Sequence, residues 1–324
     1  MRLSPLFAAL AVILGLNAAT GPAARAGEEI RFATQPIPQY APIFVAKQKH
    51  WLEEELNKVK PGIELKWASF PAGPPINESF AAGQQDFGFL GDTPALIGKA
   101  VGIDTRLAAL SASSPTSLAV VVGAQSPIRS ARELKGKRVA VTKGSYAQHL
   151  LALVLESGGL TFADVELVNL PNAEIAPAIV SGAIDAGAVW EPVISRGEAQ
   201  NTIRVLADGS GIKKGILVII VAQDFLKTRR AEAEAVLRAY ARAAAFIKTN
   251  PREAAELLTE DTRLPADLLV KLLPKLDFNP AIGDEDLADL KKSEAYYRSI
   301  GLIKAPVDID AWAVRDLVPA GAAR

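Results

Sequence analysis

Two short loops of this chain carry residue types that suit anion binding. Gly91-Asp92-Thr93 follows the apolar run 87–90, and Lys143-Gly144-Ser145 follows the strand-like run 139–142. In each loop small or polar residues open a helix, and a helix start offers unpaired N–H groups and the positive end of a dipole. Two such starts facing each other across a cleft would hold a small oxyanion without a dedicated cation. We therefore expect an anion site between the two loops.

Each loop also has a purely local explanation. Asp92 and Thr93 are residue types that cap helices, and in isolation capping is the usual reason for them. Ser145 can cap in the same way, Gly144 can serve a turn with positive φ, and Lys143 can be solvated. Capping and binding are compatible, because Asp92 can cap while the Thr93 hydroxyl and amide face the cleft. We favour binding for Ser145 and Gly144 and leave Lys143 open.

Other candidates follow from where strands end. Trp190 closes a buried strand, and although a tryptophan there is often part of a core, the carboxyl ends of strands face the ligand crevice in open α/β sheets. Glu191 would repel a bare anion, so it points away, pairs with a base or binds a ligand ammonium group. Loop solvation is the alternative for the polar side chains after the first and fourth strands. These are Gln35, Gln39, Tyr40, Ser113 and Ser114.

The elements that must position these residues alternate from residue 27 onward between short apolar strands and helices of about three turns. This alternation predicts α/β units on mostly parallel sheets. Strands are expected at 29–34, 63–67, 87–90, 105–110, 118–122, 138–142, 165–170, 186–190, 203–206 and 216–221. Helices are expected at 42–56, in a short segment ending near 83, at 145–156, at 173–181 and almost throughout 227–297.

The helical segment 227–297 follows two α/β series and must bury its apolar residues against one of them. The simplest arrangement returns it to the first series. We therefore expect a first lobe of residues 27–117 and 222–324 and a second lobe of residues 118–221. The strands at 118–122 and 216–221 would then be the two crossings between lobes. Paired crossings suit a hinge that closes on a ligand.

The first 26 residues have the features of a secretory signal peptide. Arg2 precedes the apolar stretch 6–16, which is shorter than the roughly 20 residues of a membrane span, and Ala24-Arg25-Ala26 forms a small-x-small cleavage site. A buried N-terminal helix is the alternative. We expect cleavage after Ala26, which would leave about 300 residues, enough for two domains.

The composition excludes several classes of function. Removal of the leader takes Arg2 and Arg25 and no acidic residue, leaving 34 basic and 36 acidic residues and a net charge of −2. This balance argues against a nucleic-acid binder. The chain has no cysteine and two histidines, which excludes thiolate metal sites, cysteine nucleophiles and multi-histidine metal sites. There is no Gly-x-Ser-x-Gly elbow of a hydrolase either, and we expect no cofactor and no metal.

Taken together, the motifs resemble the periplasmic solute-binding proteins of ABC transporters, and most closely their aliphatic-sulfonate-binding family. Relatives of that family bind taurine, nitrate, bicarbonate or a thiamine pyrimidine precursor. The similar stretches span roughly residues 29–225 and are 70–74, 91–94, 126–128, 133–136, 143–145, 150–151, 185–186, 188–192 and 205–209. The resemblance implies a two-lobed type II periplasmic binding protein fold with the ligand between the lobes. It also implies periplasmic localisation and delivery of the ligand to an inner-membrane permease, and we expect a monomer.

Residue by residue, the resemblance assigns 91–93 to the first-lobe anion loop, 143–145 to its second-lobe partner, and Trp190 and Glu191 to a Trp-Asp-Pro segment. The chain departs from the family in having Glu191 for the usual Asp and Val193 where an aromatic residue is common. After Lys-Gly the family often has Ser-Ser/Ala-His, whereas this chain has a tyrosine at 146 and its histidine one place late at 149. These differences bear on the ligand rather than on the transport role.

The sequence therefore predicts a non-enzymatic receptor for an aliphatic sulfonate or similar small oxyanion. A same-fold receptor for nitrate or a thiamine pyrimidine precursor is the alternative. A same-fold enzyme of pyrimidine synthesis resembles a different pattern, with a cysteine-rich motif, and the absence of cysteine counts against it. A regulatory effector domain would lack a leader and carry a DNA-binding helix pair.

Overall fold

The computed structural model of the protein describes residues 28–318, so the expected signal peptide and its cleavage site lie outside the described residues. The strands of this part of the chain are β1 (Glu29–Thr34), β2 (Glu64–Ser69), β3 (Phe87–Gly91), β4 (Thr105–Ser113), β5 (Leu118–Gly123), β6 (Arg138–Val141), β7 (Glu166–Asn169), β8 (Ala186–Trp190), β9 (Ile203–Asp208) and β10 (Ile216–Ala222). The helices are α1 (Ala41–Gln48), α2 (Trp51–Asn57), α3 (Gly73–Ala81), α4 (Asp92–Ala100), α5 (Tyr146–Ser157), α6 (Asn172–Val180), α7 (Val193–Ala199), α8 (Gln223–Thr228), α9 (Arg230–Thr249), α10 (Pro251–Thr262), α11 (Ala266–Leu272), α12 (Asp284–Ser299) and α13 (Ile309–Trp312).

The described strands form two five-stranded sheets with the same plan. The first has the order β2-β1-β3-β10-β4 and the second the order β7-β6-β8-β5-β9. In the first sheet only β10 runs antiparallel to its neighbours, and in the second sheet only β5 does. The register of β10 sets Val218 opposite both Leu90 and Leu110. The prediction of two lobes, each with a mostly parallel sheet flanked by helices, is confirmed.

The second lobe ends earlier in the chain than the expected residue 221. β10 pairs with β3 and β4 and therefore belongs to the first sheet, so the chain returns to the first lobe before residue 216 rather than after residue 221. A continuous apolar strand signals burial on both faces but does not say which sheet buries it. The connections between lobes are thus 114–117 and 209–215. They are hydrogen-bonded to each other, since the Gly209 amide donates to the Pro115 carbonyl at 2.8 Å.

The expected helix at 42–56 is in fact two helices. α1 ends at Gln48 and α2 begins at Trp51, because His50 between them has a φ of 57° in the left-handed region. The spacing of apolar residues continues from α1 into α2, so the sequence pattern does not reveal the break. The helix is interrupted by the backbone conformation of His50. The helical tail is confirmed in outline, because α8 to α12 fill most of 223–299.

The helical tail packs on elements of the first sheet's lobe. α9 lies against α1 and α2, and α12 lies against α4. Aromatic rings fill the space under the first sheet, where the ring of Phe32 stacks on those of Trp67 at 4.6 Å and Phe87 at 5.4 Å between centroids. Burying such side chains stabilises the fold by about 1.5–3 kcal/mol each. Between residues 28 and 318, no helix is both long enough and apolar enough to span a bilayer.

Candidate ligand-binding cleft

The carboxyl ends of strands from both sheets meet where the lobes touch. A Cβ atom placed on Gly91, at the end of β3, would lie 3.0 Å from the Cβ of Tyr146, the first residue of α5. One placed on Gly144 would lie 3.3 Å from Cγ of Pro74 in the first lobe. Loops 91–93 and 143–145 therefore border the same interlobe gap, and the lobes are in contact along it.

The start of α4 already holds a carboxylate of its own. Asp92 is fully buried, and its Oδ1 accepts hydrogen bonds from the Thr93 amide at 2.7 Å and the Thr93 hydroxyl at 3.2 Å. Its Oδ2 lies 2.5 Å from Nζ of Lys213, which is also buried and belongs to the connection 209–215. The expectation that Asp92 caps this helix is wrong, because Gly91 is the N-cap of α4 and no side chain caps it. Asp92 is instead the first residue of the helix and places a carboxylate of the chain itself at its positive end.

The start of α5 is differently arranged. Ser145 is its N-cap, and its Oγ accepts a hydrogen bond from the Gln148 amide at 3.4 Å. The Gly144 amide donates to Oε1 of Gln148 at 2.6 Å, and the φ of Gly144 is 76°. Because the first turn of a helix has no earlier helical carbonyls to pair with, the amides of Tyr146 and Ala147 remain donors without a partner in α5. Lys143 is exposed, and only its amide is held, by Asn169 Oδ1 at 2.9 Å.

The end of β8 supplies one wall of the gap. The ring of Trp190 is buried and lies 5.7 Å from that of Tyr146. The carboxylate of Glu191 turns toward α7, where it accepts hydrogen bonds from the Ser195 amide at 3.0 Å and the Ser195 hydroxyl at 2.7 Å, with Lys275 at 3.7 Å. Burial raises the pKa of Glu191. Of the alternatives given for Glu191, these contacts favour pairing with a base, and the carboxylate also accepts from Ser195 in α7.

The first lobe contributes amide and phenol groups beneath Gly91. Nε2 of Gln35 donates to the Tyr40 hydroxyl at 3.1 Å and to the Phe89 carbonyl at 3.2 Å. Nε2 of Gln39 crosses to the other lobe and donates to the Glu191 carbonyl at 3.3 Å. Burial raises the pKa of Tyr40 well above its ordinary value, so this phenol stays protonated and can donate.

Ser113 has different surroundings. Its amide and carbonyl exchange hydrogen bonds with the backbone of Asp277 in the C-terminal region, and it pairs with Ile216 in the first sheet. Ser114 is buried, and its amide donates to the Gly215 carbonyl at 3.3 Å where the two interlobe connections meet. These contacts place both serines at the end of β4, beside the interlobe connections, with β10 between this strand and Gly91 at the end of β3.

Two buried polar atoms beside the gap have no hydrogen-bond partner in the described part of the chain. They are Oε1 of Gln39 and the hydroxyl of Tyr146, which lie near each other from opposite lobes. The position of Tyr146 gave only a weak signal in the sequence, as a departure from the family pattern. Lys213 and Tyr297, which contacts Thr93, carried no signal, because neither lies in a motif. Across residues 28–318 no group of three or more metal-ligating side chains is found.

Solved structures of known proteins share this architecture. The alkanesulfonate-binding protein SsuA from Xanthomonas axonopodis pv. citri, solved bound to MOPS, superposes with a TM-score of 0.80 at 24% identity, over 90% of this chain and 100% of that chain. The periplasmic aliphatic sulphonate binding protein SsuA from Escherichia coli gives a TM-score of 0.77 at 27% identity, over 90% and 98% of the chains. The desulfurization enzyme DSZB has the same fold, with a TM-score of 0.70 at 18% identity over 90% of this chain and 97% of its own. The fold alone therefore does not distinguish binding from catalysis.

Sequence relatives give the family. A Bacillus subtilis (strain 168) protein, provisionally named an aliphatic sulfonates-binding protein, is 30% identical over 275 residues, which are 84% of this chain and 81% of that protein. The family described as NMT1/THI5 like matches residues 37–254, which is more than half of the sequence. The chain therefore belongs to the NMT1/THI5-like family, and its close homologues are named as aliphatic sulfonate-binding proteins.

Proposed function

We propose that this protein is a periplasmic receptor of an ABC importer that binds an aliphatic sulfonate, or a similar small oxyanion, between its lobes. The observation that carries the proposal is the start of α5. Its first-turn amides and the Ser145 hydroxyl border the interlobe gap, opposite Gly91. The names of the sequence relatives and the Escherichia coli SsuA structure support the same ligand class.

The donors around the gap match a sulfonate head group. The amides of Tyr146 and Ala147, the Ser145 hydroxyl and the Tyr40 hydroxyl can all donate to its oxygens. Micromolar affinity requires about 8 kcal/mol. Four to six hydrogen bonds to a charged group, at roughly 1.5–3 kcal/mol each, reach that value after ordering costs are subtracted. The ligand-binding set that we propose remains Gln35, Tyr40, Gly91, Asp92, Thr93, Ser113, Lys143, Gly144, Ser145, Trp190 and Glu191.

Within this set the contacts suggest different roles. Asp92, paired with Lys213, acts by shaping the start of α4 without leaving a net charge toward the anion. Gly91 acts by its lack of a side chain, because the ring of Tyr146 occupies the adjacent space. Trp190 offers an apolar face for the alkyl part of the ligand. Tyr146 adds a buried hydroxyl to the groups that border the gap.

We further infer that the protein is a receptor and not an enzyme. The sequence has no cysteine to act as a nucleophile, and the Glu191 carboxylate and His149 imidazole are both held by other side chains. Export by the signal peptide at 1–26, action as a monomer and docking on an inner-membrane permease complete the proposal. Conversion of a bound sulfonate into another compound, detected by mass spectrometry after incubation, would contradict the receptor role.

The ligand class is tested with the protein that begins at Gly27. Thermal shift followed by calorimetry against methanesulfonate, ethanesulfonate, taurine, an arylsulfonate, nitrate and a thiamine pyrimidine should show stabilisation by at least one sulfonate. Ser145→Ala should weaken that binding at least tenfold, because it removes a hydroxyl donor at the start of α5. Asp308→Ala is the matched control, since it removes the side-chain cap of α13, outside the cleft. If no sulfonate stabilises the protein while the thiamine pyrimidine binds, the proposed ligand class is wrong but the receptor role is not.

A further inference from the structure

A series of buried hydrogen bonds runs from the interlobe connection through the first lobe into the second. Lys213 holds Asp92, and Asp92 accepts from Thr93. The Thr93 hydroxyl lies 2.7 Å from the hydroxyl of Tyr297, which in turn lies 2.7 Å from Nδ1 of His149. Tyr297 belongs to α12 and the first lobe, whereas His149 belongs to α5 and the second lobe. The last of these hydrogen bonds therefore crosses the gap.

The direction of the last two bonds depends on the tautomer of the His149 ring. Burial together with Lys213 lowers the pKa of this imidazole to about 2, so the ring is neutral and one of its two nitrogens carries a proton. A phenol has one proton, so Tyr297 either donates to Nδ1 and accepts from Thr93, or accepts from Nδ1–H and donates to Thr93, whose own proton then goes to Asp92. Tyr297 is fully buried and His149 nearly so, which means that neither bond can be replaced by water while the lobes touch.

The position of His149 in α5 allows its bond with Tyr297 to fix the start of this helix. It lies four residues after Ser145, so the two side chains share one face of α5. A bond at His149 thus fixes the helix whose start faces the proposed ligand. At the other end, the same phenol fixes the hydroxyl of Thr93 at the start of α4.

We propose that Tyr297 and His149 form an interlobe latch, a pair of positioning residues that hold the starts of α4 and α5 together when the receptor closes on its ligand. This inference rests on the proposed function for the identity of the site. It gives the C-terminal helix α12 a role in binding, besides completing the first lobe.

The latch is distinct from ordinary core packing because its central bond exists only when the lobes touch. In an opened molecule water can reach both the phenol and the imidazole. Tyr297→Phe should therefore destabilise the closed form more than the open form, because the bond to Thr93 is lost in both forms but the bond to His149 only in the closed one. Ligand association begins with the open form, so the loss should appear in the dissociation rate.

The kinetic test uses ethanesulfonate as the probe and stopped-flow fluorescence as the readout. For Tyr297→Phe we expect the dissociation rate constant to rise about tenfold, equivalent to about 1.4 kcal/mol, with the association rate constant nearly unchanged. Tyr296→Phe is the matched control on the same helix, because no hydrogen bond to the Tyr296 hydroxyl is found in the described residues. Equal dissociation rates for the two variants would overturn the proposal.

A second variant separates coupling from simple damage. His149→Leu should raise the dissociation rate about as much as Tyr297→Phe does, and the double variant should be no worse than either single one, because both remove the same bond. His149→Asn, whose side-chain oxygen can accept from the phenol, should restore part of the loss. Additive effects of Tyr297→Phe and His149→Leu would show that they act independently and would contradict the latch.

A ligand-independent measurement distinguishes failure of the latch from failure of the proposed ligand class. The native chain has no cysteine, so spin labels at Val101→Cys and Val180→Cys, 73% and 61% exposed in different lobes, report the distance between lobes. Tyr297→Phe should reduce the closed population of the ligand-free protein about tenfold relative to Tyr296→Phe. Unchanged populations would overturn the latch, whereas failure of the parent protein to bind any sulfonate would count only against the ligand class.

Discussion

At the scale of single residues, the least expected feature is that a helix start suited to anions contains an internal carboxylate. The Asp92 carboxylate accepts hydrogen bonds from the Thr93 amide and from Nζ of Lys213, and all three residues are buried. Two charges removed from water are expensive, and their attraction compensates only when the geometry is good. The pair therefore contributes less to net stability than its short distance suggests, but breaking it leaves an unpaired buried charge.

Lys213→Met should lower the free energy of unfolding by about 3–5 kcal/mol, because Asp92 would be left charged and buried without its partner. The double variant Lys213→Met with Asp92→Asn should recover much of the loss, since neither charge is then present. Urea denaturation followed by circular dichroism measures both values.

An exposed pair provides the comparison for this prediction. Lys66 and Glu64 form an ion pair on β2 with side chains that are 49% and 59% exposed. Lys66→Met should change the stability little, because exposed pairs gain little over hydrated charges. A loss for Lys213→Met as small as that for Lys66→Met would contradict the account of the buried pair.

At the scale of elements, most of the scaffold could be predicted from the sequence because strands and helices leave periodic patterns. The start of α5 is an example, since Ser145 caps it as expected and its apolar face follows helical spacing. What the sequence could not supply was partnership between distant elements. The assignment of β10 to the first sheet and the contact of α12 with α5 depend on tertiary packing, to which no local pattern points.

The break between α1 and α2 allows a prediction about one backbone conformation. His50 holds a left-handed φ of 57°, which is unfavourable for residues with a Cβ atom, and its side chain is 81% exposed. His50→Gly should raise the free energy of unfolding by about 0.5–1 kcal/mol, because relief of this strain outweighs the extra entropy of glycine in the unfolded chain. Urea denaturation measures the change. His50→Ala keeps the Cβ atom and should show no gain, so equal stabilities for the two variants would contradict the explanation.

At the scale of the whole molecule, closure should respond to pH through His149. In the closed form burial lowers its pKa to about 2, with Lys213 as the second cause, whereas a hydrated imidazole has a pKa near 6.5. The open form therefore binds a proton below about pH 6.5 that the closed form excludes. Closure is fully favoured above that pH and loses free energy as the pH falls from 6.5 toward 2.

We accordingly expect the affinity for ethanesulfonate to be constant above about pH 6.5 and to fall by up to tenfold per pH unit below it. Calorimetry between pH 5 and 8 measures this, and the sulfonate itself stays ionised throughout. His149→Asn has no titrating group at this position and should give a flat profile. A wild-type profile as flat as that of His149→Asn would rule out proton-linked closure.

The way β10 completes the first sheet has a consequence for biosynthesis. The second sheet is made from the uninterrupted stretch 118–208, whereas the first needs residues 216–222 to join β3 to β4. As the nascent chain emerges, the second sheet can form before β10 is available. Until then the facing edges of β3 and β4 keep unpaired backbone N–H and C=O groups. Pauses in translation between residues 113 and 216 would prolong that exposure and with it the risk of aggregation.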